Sequence, residues 1–348
     1  MAVYTTIDDP GLFFNPVIYT GTGAIRTVTG VGFQGDLWWG KQRNGTYRHQ
    51  SYDSVRGATY YLAPNTTEVQ SLADVGGLTA WTSDGFTLGD RAQSNYNTAT
   101  FVAWNWKAGT TTGIAGSPSI TPSSYSFNQT SGFSIIAYTG TGSAATLPHG
   151  LGVVAEMIIV KSLTVTTDWA VYHHKVTDAD PEDYIQVLNT NAAKADNVNA
   201  WNDTAPTSTL FSVLAGDTNA TSKTHIAYCF AGIAGYSKFG GYTGNGNVNG
   251  PFVFTGMRPA FVLIKRTDST GNWSLFDSKR VAYNGDNKRL FPNDTDAESG
   301  GLQLDLLSNG FKLRDDGSYT NASGGDYIYA AFARNPLVNS NGVAGNAR

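Results

Sequence analysis

A five-residue segment recurs three times in this chain, and its spacing constrains the fold more than any other feature. Tyr-Thr-Gly-Thr-Gly occupies residues 19–23 and 138–142, and Tyr-Thr-Gly-Asn-Gly occupies residues 242–246. The three copies of the motif start 119 and 104 positions apart. Self-similarity at a long period is the signature of a chain built from repeated structural units.

Later landmarks keep nearly the same offsets as the motif. An apolar segment ends in Lys41, in Lys161 and in Lys265, which lie 120 and 104 positions apart. The other landmarks that match are Trp169 with Trp273 and the closing segments 101–106, 225–230 and 327–332. The sequence therefore predicts three tandem copies of one domain.

Within each copy the pattern of apolar residues is typical of strands. The runs 156–161 and 260–265 are short and β-branched, and no segment carries a long helical stripe. Asp84-Gly85 and Asn309-Gly310 separate extended runs and predict type I′ hairpin turns, which need positive φ. We expect an all-β fold of three tandem β-sandwich domains, jelly-roll-like, with about 100 residues each.

The same landmarks give the domain boundaries. A Gly, Ser, Thr and Pro-rich join between the first two copies reads as a linker, while the second join is short. We expect the two ends to be disordered unless another surface, such as a neighbouring chain, holds them. The predicted segments are a lead-in at 1–16, repeat 1 at 17–107, a linker at 108–131, repeat 2 at 132–231, a short linker at 232–238, repeat 3 at 239–334 and a tail at 335–348.

Charge and cysteine content exclude several classes of protein. The chain has 23 Lys and Arg against 27 Asp and Glu, a formal net charge of −4, whereas a nucleic-acid binder needs a concentrated basic face. Cys229 is the single cysteine, so no internal disulfide forms, and we predict a free buried thiol. The first residues lack the features of a signal peptide, and the apolar stretch 153–160 is too short for a membrane-spanning helix.

Motifs for catalysis, cofactors and metals were sought and not found. No phosphate-binding loop is present, and residues 244–250 miss the GxGxxG spacing by one position. One cysteine cannot supply CxxC pairs, and HExxH and GxSxG are absent. In a strand, His173 and His174 would point to opposite faces and could not chelate one ion together. The sequence thus predicts no catalytic, cofactor-binding or metal-binding residue, and no cofactor.

Two acidic clusters, at 178–183 and 294–298, left two further options open. They could bind Ca²⁺ or act as paired glycosidase carboxylates. Neither cluster has an EF-hand pattern, and each supplies few carboxylates for a calcium site. We therefore interpret both as solvated acidic loops.

An Asp/Arg pair occurs in both outer copies at the predicted end of a strand. Asp53 and Arg56 lie in the first copy, and Asp277 and Arg280 lie in the third. The pair could contact a ligand beside aromatic residues, or it could form an Asx turn in which the carboxylate accepts backbone N–H groups and the arginine covers it. The structural interpretation is favoured, since residues 173–176 of the second copy lack the pair.

Adjacent tryptophans give a further candidate interface. Trp38 and Trp39 in one strand must face opposite sides, so both are buried only if the strand is covered on both faces. One of them is therefore a candidate for an interface between copies or chains, where tryptophan is enriched.

These residues together carry a resemblance. The segments 4–10, 19–23, 52–57, 62–68, 83–89 and 102–106, with 295–298 and 308–311 in the third copy, resemble a repeat domain of virion structural proteins from tailed, mostly marine, bacteriophages. The resemblance spans nearly the whole chain but covers only the beginning and end of the second copy. It implies a β-rich, non-enzymatic building block that is often described as a tail fibre protein, and it carries over no catalytic residues.

Several functions follow from this resemblance as expectations. The first is a tail or fibre component on the exterior of the virion that contacts other virion proteins, copies of itself and a host-surface glycan. The second is a capsid decoration protein, which copy number per particle would distinguish. A glycan-binding module and a polysaccharide depolymerase are the remaining alternatives. Many aromatics and few charges also predict a homo-oligomer, because a lone chain would expose apolar surface.

Overall fold

A computed structural model describes residues 5–72, 76–280 and 284–345 of the chain. Regular structure in these residues is dominated by antiparallel strands, which confirms the predicted all-β class. The helices are single turns: α1 (Ala92–Asn95), α2 (Val198–Trp201), α3 (Gly216–Asn219) and two 3-10 turns at Pro10–Leu12 and Pro181–Asp183. In the described part of the chain, no helix has the length and apolar character needed to cross a bilayer.

The strands fall into three successive groups, here called the first, second and third copy. The first copy comprises β1 (Phe14–Thr20), β2 (Arg26–Thr29), β3 (Leu37–Gln42), β4 (Gln50–Asp53), β5 (Tyr60–Tyr61), β6 (Ser71–Leu72), β7 (Leu78–Thr82), β8 (Gly85–Leu88) and β9 (Thr100–Trp106). The second comprises β10 (Ser124–Asn128), β11 (Phe133–Thr139), β12 (Ala145–Pro148), β13 (Met157–Ser162), β14 (Ala170–His173), β15 (Tyr184–Val187), β16 (Ala195–Asp196), β17 (Leu210–Val213) and β18 (Thr224–Phe230). The third comprises β19 (Ser237–Thr243), β20 (Phe252–Phe254), β21 (Met257–Arg266), β22 (Ser274–Asp277), β23 (Leu304–Leu307), β24 (Gly310–Leu313) and β25 (Asp326–Pro336).

Each copy contains a large sheet with the same order of strands. The orders are β1-β9-β3-β4, β11-β18-β13-β14 and β19-β25-β21-β22, with every neighbouring pair antiparallel. In the second copy β10 adds to one edge of this sheet, and β15 and β16 add to the other. The closing strands β9, β18 and β25 each lie second in order, so the predicted alignment of the closing segments corresponds to one position in the fold.

A smaller sheet packs on one face of each large sheet. These sheets are β2-β8-β7, β12-β17 and β20-β24-β23. Strands are apolar on both faces when both faces are covered, and the large sheets contribute one face to a local buried cluster in each copy. Representative members of the three local clusters are Trp38 and Phe86, Ile158 and Phe211, and Val262 and Phe311.

The opposite faces of the three large sheets meet in one shared core, here called the central cluster. Its buried members are Ile7, Phe14, Leu37, Trp39, Leu62, Val102, Trp104, Trp106 and Ala108; Phe133, Ile135, Ala137, Met157, Ile159, Leu163, Trp169, Val171, Leu188, Ile226, Tyr228 and Phe230; and Tyr236, Phe239, Ala260, Phe261, Leu263, Trp273, Leu275, Leu290, Ile328, Ala330 and Phe332. The three copies therefore share one core in addition to their local cores, which a reading of separate tandem units does not anticipate.

Three aromatic rings at equivalent positions form the middle of the central cluster. Trp106, Phe230 and Phe332 stand at the same place in β9, β18 and β25. Their ring centroids are 5.6 Å apart for Trp106 and Phe332, 5.9 Å for Phe230 and Phe332, and 6.4 Å for Trp106 and Phe230. All three pairs are edge-to-face, a favoured geometry for buried aromatics. The large sheets thus surround a pseudo-threefold axis.

The recurrent Tyr-Thr-Gly motif is explained by a ring stack and a hydrogen bond that occur at the same place in each copy. Its tyrosine ring stacks on the first residue of the closing segment, with centroids 5.2, 5.1 and 5.0 Å apart in the three copies. The side-chain oxygen of an asparagine, Asn95, Asn219 or Asn321, accepts a hydrogen bond from a backbone N–H of the motif at 2.8–2.9 Å.

 The donors are the N–H groups of Thr22, Thr141 and Asn245, the residue between the two glycines of each motif. At the first glycine a Cβ would lie 2.1–2.4 Å from a backbone oxygen, so no larger residue fits there.

The predicted hairpins at Asp84-Gly85 and Asn309-Gly310 are present, but their turns are displaced by one residue. Gly85 pairs with Thr82 and Gly310 pairs with Leu307, so each glycine is the first residue of a strand rather than part of the turn. A Cβ at Gly85 would lie 2.0 Å from the Val28 oxygen, and one at Gly310 would lie 2.1 Å from the Val253 oxygen. The glycines are therefore needed for close approach of the neighbouring strand, not for a type I′ turn.

The joins and ends are more ordered than the sequence suggests. Part of the segment predicted as the linker 108–131 forms strand β10, whose backbone groups pair with β11. Strand β1 begins inside the predicted lead-in, and β25 extends into the predicted tail. The ends contact each other within the chain: the Asp8 carboxylate accepts hydrogen bonds from the N–H and hydroxyl of Ser340 at 2.7 and 2.6 Å. Cys229 is free and buried, as predicted.

Removing one ring of the aromatic triangle tests the shared core. Replacement of Phe332 by Ala leaves a cavity among rings from all three copies, so the free energy of unfolding should fall by about 3–5 kcal/mol. Phe254→Ala is the matched control, because half of that ring is exposed and its loss should change stability by less than about 0.5 kcal/mol. Chemical denaturation monitored by tryptophan fluorescence measures both. Equal, small effects of the two substitutions would contradict the shared core.

Candidate functional site

The Asp/Arg pair of the first copy is buried and holds two copies together. The Asp53 carboxylate accepts hydrogen bonds from the Arg56 N–H at 2.8 Å and from its Nε at 2.5 Å, which is the predicted Asx turn closed by the arginine. Both side chains are almost completely buried. The second carboxylate oxygen also accepts a hydrogen bond from the Tyr228 hydroxyl of the second copy at 2.7 Å. The pair therefore lies in an interface between copies.

The pair of the third copy repeats this arrangement toward the first copy. Asp277 accepts hydrogen bonds from the N–H and Nε of Arg280 at 3.0 and 2.6 Å. Its second oxygen accepts one from Trp104 Nε1 of the first copy at 3.0 Å. Trp104 and Tyr228 occupy equivalent positions in their closing strands, two residues before the rings of the triangle. Both side chains of the ion pair are inaccessible, so a ligand cannot reach either one.

The second copy makes the same connection with a neutral group. His173 occupies the position of the two aspartates and donates a hydrogen bond from Nε2 to the Tyr329 oxygen of the third copy at 3.1 Å. Its Nδ1 accepts a hydrogen bond from the Lys175 N–H at 3.1 Å. Burial, with a smaller contribution from His174, lowers the pKa of His173 to about 3. The three turn residues thus join copy one to two, two to three and three to one.

A second ring of contacts runs in the opposite direction. His49, Trp169 and Trp273 stand eight residues after the equivalent lysines, and each donates a side-chain hydrogen bond to a backbone oxygen of the preceding copy. The acceptors are the oxygens of Phe291, Thr66 and Val187, at 3.1, 3.1 and 2.9 Å. An asparagine side chain accepts a hydrogen bond from the backbone N–H of each donor residue, and these asparagines are Asn65, Asn189 and Asn293. The cyclic order of contacts closes the three copies into a ring.

The two candidate tryptophans separate onto the two faces of β3, as strand geometry requires. Trp38 packs in the local cluster of the first copy against Tyr52 and Phe86. Trp39 lies in the central cluster, where its Nε1 donates a hydrogen bond to His49 Nδ1 at 3.0 Å. Trp39 is therefore the one of the pair that faces other copies of the domain in the same chain.

Each copy also buries the lysine that ends its apolar strand. Lys41, Lys161 and Lys265 are inaccessible and donate hydrogen bonds to backbone oxygens. Burial lowers the pKa of each to about 8. The sequence marked these residues only as landmarks of the repeat. Their burial adds a cost that the backbone hydrogen bonds offset.

The two acidic clusters, 178–183 and 294–298, have different surroundings in the structure. In the second cluster, Glu298 is mostly buried and accepts hydrogen bonds from Arg43 Nε and Nη2 at 3.0 and 2.8 Å, which joins the third copy to the first. In the first cluster, Asp178 and Asp180 are exposed. Among residues 5–72, 76–280 and 284–345, no group of three or more His, Cys, Asp or Glu side chains is arranged to hold a metal ion.

A groove of about 830 Å³ lies between the second and third copies. One wall is formed by strands β19 and β20, which are edge strands of the large and small sheets of the third copy. The other wall carries Glu156 and His174 of the second copy. Phe252 and Phe254 stand on its rim with 45% and 50% of their surfaces exposed. The groove therefore combines exposed aromatic rings with polar groups, as binding sites do.

Polar groups in the groove cap the open edges of the two sheets. His174 Nε2 donates a hydrogen bond to the Phe239 oxygen at 3.0 Å, and the Phe239 N–H donates one to Glu156. Burial raises the pKa of Glu156, while His174 and Lys238 act against the rise. Lys238 Nζ donates a hydrogen bond to the Phe254 oxygen at 3.1 Å and lies 5.4 Å from the centre of the Phe254 ring.

Sequence reasoning missed the groove and the asparagines that fix the repeated motif within each copy. The asparagine that fixes each Tyr-Thr-Gly motif follows a Ser or Thr in every copy, at 94–95, 218–219 and 320–321, so its recurrence was visible as a signal. Another visible signal is Gly240-Gly241, which stands where the second copy has Ile136-Ala137. The groove itself exists because the second join, 232–238, is too short to fill it, and no short motif reveals a missing segment.

Comparison with known proteins gave a match to a protein family. A profile described as a domain of unknown function (DUF7483) matches residues 9–336. The match runs through all three copies as one unit, which agrees with the shared core. Searches of curated proteins and of solved structures gave no match.

Breaking one buried ion pair should lower the stability of the protein. In Asp53→Asn the buried Arg56 guanidinium loses its counter-charge, and we expect the free energy of unfolding to fall by about 3–5 kcal/mol. Glu68→Gln is the matched control, since the Arg48–Glu68 pair is partly exposed and exposed pairs contribute about 0–1 kcal/mol. Urea denaturation of both variants is the measurement. A cost for Asp53→Asn no larger than that of the control would refute the assigned role.

Acid should weaken the join between the second and third copies. The pKa of His173 is about 3 in the folded chain and about 6.5 in an unfolded one, so its contribution to stability is complete above pH 6.5 and is lost as the pH falls toward 3. Between those values the loss is about 1.4 kcal/mol per pH unit. The free energy of unfolding of His173→Leu should therefore fall less steeply between pH 6.5 and 4.5 than that of the original chain. Parallel pH profiles would exclude a buried neutral His173.

Proposed function

The chain belongs to the DUF7483 family, and we propose that it is a non-enzymatic structural protein of a bacteriophage virion, placed in a tail or fibre appendage on the exterior of the particle. The resemblance of its repeated segments to virion structural proteins motivates the proposal. The match of the family profile to all three copies supports the closed ring as the working unit.

One observation about the charged residues carries the proposal. The strongest candidates for chemistry in the sequence, Asp53 with Arg56 and Asp277 with Arg280, are buried and joined to aromatic side chains of a neighbouring copy. Their hydrogen bonds are used to hold sheets together. Side chains committed in this way favour a building block over an enzyme, because a catalytic group must reach its substrate.

We further propose that each copy is a β-sandwich of about 100 residues with jelly-roll-like connections. In the first copy the last strand, β9, lies between β1 and β3, and the strand before it, β8, pairs with β2. The second and third copies have the corresponding pairings of β18 with β11 and β13, and of β25 with β19 and β21. Alternation of the chain between two facing sheets in this manner is typical of double-sheet jelly rolls.

Association with other virion proteins and with further copies of the chain is part of the same proposal. Large apolar side chains remain exposed on loops outside the ring of contacts, and Ile25 and Val248, at equivalent places after the repeated motif, are 76% and 63% exposed. Exposed apolar residues support an interface when they form a patch. A host-surface glycan is the proposed external ligand of the appendage.

Quantitative mass spectrometry of purified particles, combined with immunogold electron microscopy, tests the proposal. A tail or fibre component should occur in a few tens of copies or fewer per particle, and antibodies should label the tail. Hundreds of copies with label on the head would instead identify a capsid decoration protein. Release of sugar from host envelopes by the purified chain, lost on substitution of Asp178 or Asp294, would refute the non-enzymatic assignment and favour a depolymerase.

A further inference from the structure

The groove of the third copy has a counterpart in the second copy that is filled by the chain itself. Residues 114–120, which lie in the join before the second copy, pass along the open side of that copy before β10 begins. Ile120 is buried in the local cluster of that copy, and Ile114 packs against the same cluster. Gly116 lies against Pro148 of β12, since a Cβ added to this glycine would be 3.6 Å from the proline Cβ. The segment therefore acts as a plug between the two sheets.

Hydrogen bonds fix this plug to the edge of the small sheet. The Ile120 N–H donates to the Thr146 oxygen at 3.1 Å, and the Thr146 N–H donates to Ser119 Oγ at 2.7 Å. Thr146 belongs to β12, and both of its backbone groups face away from β17 because the neighbouring residue, Leu147, pairs inward with Phe211. An extended segment thus completes an edge that would otherwise expose its backbone.

The equivalent edge in the third copy is open. Phe252 of β20 corresponds to Thr146, since Val253 pairs inward with Phe311 as Leu147 does with Phe211. In the described parts of the chain, no group forms a hydrogen bond with the outward N–H and C=O of Phe252. The join before the third copy, 232–238, has seven residues where the join before the second has 24. It is too short to supply a plug, and the groove of about 830 Å³ remains.

We propose that this groove binds an extended, uncharged polypeptide segment of another chain, in the manner in which residues 114–120 occupy the second copy. The composition of the plug supports an uncharged occupant. Glu156 lies beside His174, and Lys238 is bonded to the Phe254 oxygen, so these groups already have partners. The plug of the second copy contains no Asp, Glu, Lys or Arg. Its apolar anchors are two isoleucines, and the exposed rings of Phe252 and Phe254 offer the matching apolar surface.

The position of the occupant follows from the groups that are already paired. The outward N–H and C=O of Phe239 in β19 are bonded to Glu156 and His174. The occupant therefore lies along β20, where the backbone of Phe252 is open, and does not extend β19 at this point. Main-chain pairing at such an edge gives affinity, while the apolar anchors give specificity. This inference does not depend on the virion assignment.

A peptide taken from the chain itself tests the inference. The probe is a fluorescently labelled peptide of residues 113–123, titrated with the intact 348-residue protein and followed by fluorescence anisotropy. We expect saturable binding, at least tenfold weaker for a peptide in which Ile114 and Ile120 are replaced by Ser. The Phe252→Ser/Phe254→Ser protein should also bind the original peptide at least tenfold more weakly, whereas Val248→Ser, an exposed control in the same copy, should bind normally.

Thermal denaturation of the double variant shows whether it remains folded, and both rings are exposed enough that we expect little change. Absence of binding at millimolar protein concentration would overturn the inference. Binding that is indifferent to the isoleucines or to the two phenylalanines would also overturn it. A neutral oligosaccharide that binds the original protein and is lost in the double variant, while the peptide does not bind, would assign the groove to a saccharide instead.

Discussion

The packing of Trp106, Phe230 and Phe332 around one axis is the constraint on which the rest of the structure depends. Three rings at equivalent positions can meet only if the three closing strands converge, and the strands then bring their sheets face to face. Each large sheet must consequently be apolar on both faces, one for its local cluster and one for the central cluster. This requirement explains why the charged side chains that do lie in the middle of the large sheets, Lys41, Lys161 and Lys265, are buried and hydrogen-bonded to backbone oxygens.

The ring of polar contacts gives direction to an otherwise non-directional core. Hydrophobic packing alone does not specify which copy lies beside which. Two sets of hydrogen bonds do so here, one made by the turn residues Asp53, His173 and Asp277 and one made by the ring nitrogens of His49, Trp169 and Trp273. Because a buried donor left without its acceptor is costly, a displaced or reordered arrangement of the copies would be disfavoured.

The copies differ in how the free edge of each large sheet is protected. An unprotected edge strand invites pairing with another chain. In the first copy Pro16 stands in β1 at a position that faces away from β9 and offers no N–H. In the second copy β10 covers β11. In the third copy the side chains of Glu156 and His174 form hydrogen bonds with the N–H and C=O of Phe239. Each copy thus protects this edge in a different way, and in the third copy a groove lies beside the protected edge.

The sequence predicted the parts of this architecture that local pattern encodes. The repeat offsets, the strand character of 156–161 and 260–265, the buried Cys229 and the Asx turn at Asp53 all follow from residue type and spacing. The shared core could not be predicted in this way, since a strand covered on both faces looks the same whether its neighbour is a small sheet or another copy. Gly85 was misassigned to a turn because its need for close approach to Val28 arises from tertiary structure. The groove escaped prediction because it is defined by a missing segment.

Hydrogen exchange of the backbone amides tests the central claim most directly. If the copies share one core, the slowest amides of β9, β18 and β25 should exchange with one common free energy, equal to that of global unfolding, because none of these strands can open while the other two stay packed. Three distinct free energies, one for each closing strand, would show that the copies unfold independently and would contradict the shared core.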